Sequence, residues 1–216
     1  MNQRRWIVPA LLAALLSTTV AGCFPIIAGG MIGTALVVTD RRTSGIVFED
    51  QASEVRIGSR ISSKYGPEAH VNVHSFNRIV LLTGEVRNAE VRAGIEEIAR
   101  TSENVRTVVN ETAVLPFSAL ADRASDTLMA DKIRARYLSD GHIQATVVAT
   151  IVERHEVFLM GMVTPAEGED AARVASSTSG VERVVKVFEY LDPASLPAQP
   201  TKSVSPPVPQ DRSIQH

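Results

Sequence analysis

Three groups of residues in this 216-residue sequence have side chains and spacing that could form a modification, metal or binding site. The first is a single cysteine, Cys23, which lies between two apolar segments. The second is a pair of histidines, His70 and His74, at the i and i+4 spacing that binds a metal ion on a helix. The third is a run of cations within residues 125–138. Each group forms a site only if the surrounding element brings its side chains together.

The histidine pair is the first candidate for a metal site. Residues 70–74, His-Val-Asn-Val-His, alternate between polar and apolar side chains, which indicates a half-buried strand and not a helix. Four strand residues span about 13 Å, so the two imidazoles do not reach a common zinc ion. We therefore expect both histidines at exposed polar positions and predict no metal. His142 and His155 also lack a cysteine or carboxylate at ligand spacing.

The sequence contains no arrangement typical of catalysis. It has no Gly-x-Ser-x-Gly motif, no phosphate-binding glycine loop and no pair of carboxylates at catalytic spacing. Ser177 and Ser179 lie near a predicted helix end, where capping is the ordinary function of a hydroxyl group. We predict a protein that is not an enzyme and needs no cofactor.

Cys23 follows a segment with the features of an export signal. Two arginines precede an apolar run at residues 7–16, so we predict a signal peptide over residues 1–22. The residues Val-Ala-Gly-Cys at 20–23 resemble the lipobox of bacterial lipoproteins, and this resemblance implies cleavage before Cys23 and its acylation, with palmitate. An unmodified cysteine after an ordinary signal is the alternative. No disulfide can form within the chain, because Cys23 is its only cysteine.

The apolar segment that follows the cysteine is too short to cross a membrane. Residues 26–38 are thirteen apolar or small residues, whereas a spanning helix needs about 20. Their three glycines weaken a helix by about 1 kcal/mol each. We therefore predict that residues 23–47 form a lipidated tether that does not span the membrane. Two or more acyl chains on Cys23 would anchor the protein stably. The residue after the cysteine is Phe24 and not aspartate. This resembles the default sorting signal of lipoproteins that are exported to the outer membrane.

Much of the remaining chain is an internal duplication. Residues 79–86, IVLLTGEV, recur at a shift of 77 as residues 156–163, EVFLMGMV, and residues 105–109 recur at a shift of 76. At a shift of 72 the first helices match through the pairs Ile57 and Met129, Ile61 and Ile133, and Tyr65 and Tyr137. The order of the matches is preserved, which indicates two related domains.

The duplication sets the predicted domain boundaries. We place the first domain at residues 48–114, the linker at 115–124 and the second domain at 125–191. Residues 192–216 contain many prolines and few large apolar residues, so we predict a disordered tail.

Each copy has the predicted element order α-β-β-α-β. We therefore predict an α+β fold in which a mixed three-stranded sheet packs against two helices. Residues 79–86 form a dense apolar strand, and residues 105–114 the third strand of the first copy. Asn88 is placed to cap the second helix of the first copy, and Thr164 with Glu167 resembles a capping box in the second copy.

The first helix of the second copy, residues 125–138, is the most informative surface. It carries three positive charges within five residues, at Lys132, Arg134 and Arg136. Leu128 lies about 100° round the helix from Met129, partly off the apolar stripe. An exposed apolar side chain beside cations is typical of a helix that lies in a membrane interface. An ordinary solvated helix is the alternative.

The element order, the central strand ending in hydrophobic-x-Gly-x-Val and the short Val-x-x-Val-Val strand resemble the BON domain family. Two such domains after a lipobox resemble the dual-BON lipoproteins of the Gram-negative envelope. This resemblance implies a periplasm-facing, lipid-anchored outer-membrane protein without catalytic residues, which maintains envelope integrity by contact with anionic phospholipid. It also implies that the first helix of the second domain binds the lipid, through Leu128, Met129, Lys132, Arg134 and Arg136.

The same resemblance leaves a second function open. The helix, or an exposed strand edge, could dock an outer-membrane assembly machine or a cell-wall enzyme at division, as a protein-interaction adaptor. A soluble stress chaperone is a third reading. We expect the protein to be a monomer. Its formal net charge of −2 does not favour binding to nucleic acid. The first helix of the first copy is expected to pack between the domains.

Overall fold

The computed structural model describes residues 40–140, 143 and 145–196. The predicted signal peptide, Cys23 and the predicted tether up to residue 39 lie outside these residues. So do His142 and the chain after residue 196. No helix of the described part is both long enough and apolar enough to cross a bilayer.

The first copy contains two helices and four strands. Helix α1 (Ser44–Tyr65) begins inside the segment predicted as tether and is followed by a 3₁₀ turn (Gly66–Glu68). The remaining elements are β1 (Ala69–Phe76), β2 (Ile79–Val86), α2 (Ala89–Arg100), β3 (Thr107–Asn110) and β4 (Ala113–Val114). Strand β1 pairs with β2 antiparallel, whereas β3 and β4 both run parallel to β2.

The second copy repeats this order with an unbroken third strand. Its elements are α3 (Leu120–Asp140), β5 (Val148–Glu153), β6 (Glu156–Val163), α4 (Pro165–Ser176) and β7 (Arg183–Tyr190). Strand β6 lies between antiparallel β5 and parallel β7. Helix α3 begins inside the predicted linker, and the first residues of the predicted tail form a 3₁₀ turn (Pro193–Ser195).

The predicted third strand of the first copy is in fact two short strands. Asn110 Oδ1 accepts hydrogen bonds from the backbone nitrogen and the hydroxyl of Thr112, at 3.2 and 2.6 Å. Arg92 donates to the backbone carbonyls of Asn110 and Thr112, at 2.6 and 2.9 Å. The backbone nitrogen of Glu111 still donates to the carbonyl of Leu82 in β2 at 2.9 Å, but these local bonds interrupt the regular strand before Ala113, which gives the first copy a four-stranded sheet.

The helix starts follow the predicted caps. Asn88 Oδ1 accepts from the backbone nitrogen of Val91 at 2.9 Å, at the start of α2. At the start of α4, Thr164 Oγ1 accepts from the nitrogen of Glu167, and the Glu167 carboxylate accepts from the nitrogen of Thr164 at 2.8 Å. This reciprocal pair is a capping box, which satisfies two backbone donors that the helix leaves unpaired.

Each sheet packs one face against its own two helices. In the first copy Val80, Leu82 and Val86 of β2 pack with helix residues that include Ile57 and Ile95. The equivalent core of the second copy is formed by Val157, Leu159 and Val163 with Ile133 and Tyr137. All ten of these side chains are buried. The predicted α+β class, with each sheet against two helices, is confirmed.

The opposite faces of the two sheets pack against each other. Leu81 of β2 and Phe76 of β1 contact Phe158, Met160 and Val187 of the second sheet, and all five are buried. The two central strands are therefore covered on both faces, which explains their nearly continuous apolar sequence. The apolar core of the domain interface is made by the sheets, whereas α1 packs on its own sheet and only borders the second domain, at a cavity that Gln51 lines with Val148. The expectation that α1 serves mainly for packing between the domains is therefore wrong.

Ion pairs surround this apolar interface. The Arg41 guanidinium binds both carboxylate oxygens of Glu167, at 2.8 and 2.7 Å, and also the carbonyl of Met162 at 2.7 Å. At another point Arg183 pairs with Glu111 at 2.9 Å. Arg41 lies just before α1, so the start of the first domain is held on the second domain.

A buried aspartate in the first helix of each copy holds the first hairpin. Asp50 accepts hydrogen bonds from the backbone nitrogens of residues 77–78, at 2.8 and 2.9 Å. Asp126 accepts from those of residues 154–155, at 2.8 and 3.0 Å. All four of these turn residues have positive φ, which is required in a two-residue type I′ turn.

The two aspartates correct the predicted alignment of the helices. They are 76 residues apart, which pairs Ile57 with Ile133, both fully buried. The predicted shift of 72 is therefore wrong by one helical turn, since four residues are close to one turn. The shift of 76 also relates the second helices and the third strands, whereas the hairpin turns and the central strands are related by 77, so one residue is inserted between the first helix and the hairpin.

Candidate membrane-binding helix

Helix α3 is fixed to its domain by one face. Ile133 and Tyr137 are fully buried, and the Tyr137 hydroxyl donates to the carbonyl of Ala171 in α4 at 3.2 Å. Burial raises the pKa of Tyr137 to about 12, so the phenol stays protonated and can donate this bond. Asp126 fixes the same helix to the hairpin between β5 and β6. The opposite face is left to solvent.

The outer face of α3 is largely apolar, with Asp131 as an exposed charged residue in its middle. Leu120, Leu128 and Leu138 are 80 %, 70 % and 75 % exposed, and small exposed residues lie between them at Ala121, Ala124 and Ala135. Leu120 and Leu138 are five turns apart and point the same way, about 27 Å from each other. We call the face defined by the three leucines the leucine face.

The cations of the helix differ in their partners. Lys132 is exposed, and within the described part of the chain it takes no part in an ion pair. Arg134 donates to Asp131 at 2.8 Å and to the carbonyl of Thr150 in β5 at 2.7 Å. Arg136 donates to α4 and to the residues that follow it. Lys132 is therefore the cation with the fewest constraints beside the leucine face.

The duplication shows that Arg136 has a structural function. Arg136 donates to the carbonyl of Val174 at 3.1 Å and to the hydroxyl of Thr178, where α4 ends. In the first copy, Arg60 makes the same two bonds at the end of α2, to the carbonyl of Ile98 and the hydroxyl of Ser102. These residues are all 76 positions before their counterparts. A guanidinium at this position therefore binds the helix end in both domains.

The residues of the leucine face are not shared between the copies. At the shift of 76, Leu128 corresponds to Ala52 and Leu138 to Ser62. Lys132 corresponds to Arg56, which is paired with Glu49 at 3.2 Å in the first domain. The second domain thus lacks this salt bridge and has two exposed leucines at equivalent positions. The common fold does not require these changes.

The structure brings together only part of the predicted lipid-binding set. Leu128 and Lys132 lie on the exposed side of α3, whereas Met129 is 8 % exposed and belongs to the core. This placement corrects the expectation for Met129, which cannot reach a lipid while the domain is folded. Arg134 and Arg136 are engaged by other parts of the second domain.

Leu120 and Leu138 are additions that sequence reasoning missed. The three- and four-residue spacing of leucines and alanines on the outer face of α3 is the signal that could have revealed them. Leu120 falls in the predicted linker, and Leu138 is the last residue of the predicted helix, whereas the helix in the structure extends from Leu120 to Asp140.

The two histidines are half-buried beside the domain interface. His70 Nδ1 is 3.1 Å from Glu85, whose side chain is fully buried. Burial lowers the pKa of His74. The expectation of two exposed histidines is therefore wrong. Among the described residues, no three or more histidine, cysteine, aspartate or glutamate side chains are grouped in a way that could hold a metal ion.

A buried carboxyl group is the other unusual feature of this interface. Glu153 of β5 accepts from the Asn72 amide of β1 at 2.8 Å and from the Thr83 hydroxyl at 3.4 Å. Burial, with a smaller effect of the nearby Glu85, raises the pKa of Glu153. Its partners are neutral groups of the other domain, which fits a structural link between domains and not a catalytic acid.

Known proteins resemble this chain in sequence. The BON domain family matches residues 50–116 and 125–192, which correspond to the two copies of the duplication. The outer membrane lipoprotein DolP of Haemophilus influenzae is 37% identical over 185 residues, covering 84% of this chain and 96% of that protein. A 21 kDa hemolysin of Actinobacillus pleuropneumoniae is 30% identical over 154 residues, covering 70% and 79%.

A solved structure is also similar to part of the chain. It is the C-terminal domain of CdsD, a structural protein of the type III secretion system of Chlamydia trachomatis. The match has a TM-score of 0.27 and 12% identity, and it covers 64% of this chain and 96% of that domain.

Proposed function

Because this chain belongs to the BON domain family and carries two copies of that domain, we propose that it is a lipid-anchored protein of the outer membrane whose second domain binds anionic phospholipid. It faces the periplasm and is not an enzyme. Acyl chains on Cys23 set its location, and the leucine face of α3 makes a second contact with the membrane. Its function is to help maintain the integrity of the cell envelope.

The observation that carries this proposal is the leucine face with Lys132 beside it. A fully buried leucine contributes about 1.5 to 3 kcal/mol, so three leucines that enter the acyl boundary contribute several kcal/mol together. One cation near an anionic surface adds about 1 kcal/mol. These terms are opposed by the loss of translational freedom, which leaves a weak contact. The anchor makes it effective, because it raises the local concentration of the helix at the membrane.

Vesicle flotation tests the contact without the anchor. The protein tested is residues 23–216 with Cys23→Ser, which contains every described residue. We expect it to float with vesicles that contain phosphatidylglycerol, to bind phosphatidylcholine vesicles less, and to lose binding as salt rises. Leu128→Ser should weaken binding about tenfold, from the loss of one partly buried leucine. Lys132→Gln should weaken it about fivefold.

The first domain offers matched controls. Val55 on α1 is 73 % exposed, almost the same as Leu128, so Val55→Ser removes an equally exposed apolar side chain from the other domain. Lys64→Gln removes an exposed cation from α1. Both variants should bind as the parent does. Equal losses for Val55→Ser and Leu128→Ser would show that binding is not specific to α3.

The envelope function is tested in cells. A strain without the protein should become sensitive to detergents, and the normal gene should restore resistance. Cys23→Ala should fail to restore it although the protein is exported, because the weak contact of α3 does not replace the anchor. Full restoration by Cys23→Ala would contradict the proposed role of the lipid.

A protein-interaction adaptor is the second candidate, and the spacing on α3 favours it. Ala124, Leu128, Ala135 and Leu138 follow the alternating three- and four-residue spacing of a helix-packing seam. Asp131, however, occupies the middle position of that seam and is 64 % exposed at its side chain. Crosslinking from position 128 in cells separates the two functions. Lipid adducts support the membrane contact, and one dominant protein adduct supports an assembly or cell-wall partner.

A further inference from the structure

The loop between the domains presents apolar side chains where a linker would ordinarily be polar. Residues 114–117 are Val-Leu-Pro-Phe, and Leu115 and Phe117 are 49 % and 39 % exposed. Exposed loops are commonly built from glycine, asparagine, aspartate or serine, which form turns without apolar exposure. A run of four apolar residues in such a loop indicates a surface that is covered by a membrane or another molecule.

This loop is held in place at both ends. At its start, Val114 pairs with Val86 in the first sheet. At its end, Arg123 of α3 donates to the carbonyl of Ser118 at 2.8 Å, and the Ser118 hydroxyl donates to the buried Glu85 at 3.4 Å. The loop is therefore held in one position. The Phe117 ring lies beside the His70 ring of β1, with 6.2 Å between the ring centroids, but Phe117 and Leu115 are both still exposed.

A cation lies at the edge of the same loop. Arg87 and residues 114–117 line a groove of about 480 Å³. The side chain of Arg87 donates to the carbonyl of Pro67 at 3.4 Å, and its backbone nitrogen bonds to the carbonyl of Glu68. No carboxylate pairs with Arg87 in the described residues. An apolar groove with an uncompensated guanidinium at its rim fits an amphiphile with an anionic headgroup.

We propose that residues 114–117 with Arg87 form a second lipid-binding element, which rests on the proposed function of α3. Leu115 and Phe117 enter the acyl boundary of the anionic leaflet, and Arg87 binds a lipid phosphate. The position of the loop supports this assignment, because Leu120, the first residue of the leucine face, follows Phe117 by three residues. The occupant is thus the same bilayer that α3 contacts.

A single tryptophan can report contact with lipid at each position. Trp6 is the only tryptophan of the sequence, so residues 23–216 contain none. Phe117→Trp, Leu128→Trp and Val55→Trp are prepared in this chain with Cys23→Ser. We expect the first two to shift their emission to shorter wavelength with phosphatidylglycerol vesicles and to be quenched by brominated acyl chains. Val55→Trp should remain unchanged.

The outcomes separate the two proposals. A response at position 128 without one at 117 overturns the lipid-binding loop and leaves the function of α3 intact. No response at either position overturns both. Arg87→Gln should weaken binding to anionic vesicles about fivefold, as expected for one cation near the surface, and should leave the unfolding temperature unchanged. If the Arg87→Gln variant binds anionic vesicles as tightly as the Lys64→Gln variant does, Arg87 makes no contact with the lipid headgroup.

Discussion

Removal of the two hairpin aspartates should destabilise the protein to different degrees. Asp126 accepts two backbone hydrogen bonds, from residues 154–155, and its side chain is buried. Asp50 accepts the equivalent two from residues 77–78. Because the donors sit in turns with positive φ, the hairpin cannot rotate them toward other acceptors without losing its register.

The magnitude follows from the number of donors left unpaired. A backbone donor that loses its partner costs about 1 to 3 kcal/mol, and partial access to water at the turn favours the lower value. Asp126→Ala should therefore cost about 2 to 3 kcal/mol. Asp50 also accepts from the Ser75 hydroxyl at 2.8 Å and from Arg42 at 3.0 Å. Asp50→Ala should cost about 3 to 5 kcal/mol.

Urea unfolding followed by circular dichroism measures both values. The shared sheet interface should make the two domains unfold in one transition, so the midpoints are comparable. Asn88→Ala is the control, because it removes one cap bond and should cost about 1 kcal/mol. A change under 0.5 kcal/mol for Asp126→Ala, or a larger cost for it than for Asp50→Ala, would refute this account of the hairpins.

Three further predictions concern the sheets. Phe158→Ala should cost about 3 to 5 kcal/mol in urea unfolding, because it leaves a cavity between the two sheets where the ring is fully buried. Gly84→Ala should cost more than about 2 kcal/mol by the same assay, since Gly84 has φ +106° and an added Cβ would lie 2.1 Å from the His70 carbonyl oxygen. Burial raises the pKa of Glu153 above its ordinary value. Glu153 therefore contributes to stability at pH values below its ordinary pKa, and this contribution is lost as the pH rises through the raised pKa. Glu153→Gln should therefore stabilise the protein at pH 7 and reduce the loss of stability above pH 4.5, whereas the exposed Glu182→Gln should change neither in a pH series of melting temperatures.

The architecture was largely predictable from the sequence because it depends on local patterns. The alternation at residues 70–74 identified β1, and the caps at Asn88 and Thr164 identified the second helices. Two tandem BON domains were predicted and are confirmed. The internal duplication made this possible, since a pattern that occurs twice is stronger than one that occurs once.

The packing of one sheet on the other was not predictable in the same way. Leu81 and Phe158 lie on the strand faces that point away from the helices, and a continuous apolar strand indicates only that both faces are covered. Which surface covers the second face is decided by contacts between residues about 80 positions apart. The half-buried position of His70 is not predictable from the strand pattern for the same reason, since Glu85, which it contacts, also lies beside Arg154 of the second domain.

The positions of cations along the helix sequence predict the lipid-binding residues least reliably. Lys132, Arg134 and Arg136 have similar positions in the sequence but different partners in the structure. The sequence could still have identified Arg136 as structural at the correct shift of 76. That shift aligns it with Arg60, which suggests that both domains need a guanidinium there.

The position of the sheets also determines which surfaces can meet a membrane. Because the sheets pack face to face, each pair of helices covers the outer side of its own sheet, and the helices of the two domains lie on opposite sides of the paired sheets. Helix α1 carries Phe48 and Val55 as its own exposed apolar residues, and it borders α3 at a groove that Glu54 lines with Thr127 and Arg134. Binding of lipid and binding of a protein partner need not compete for one surface. Crosslinks from Leu128 to lipid, together with crosslinks from Val55 to protein, would show that both functions operate in one molecule.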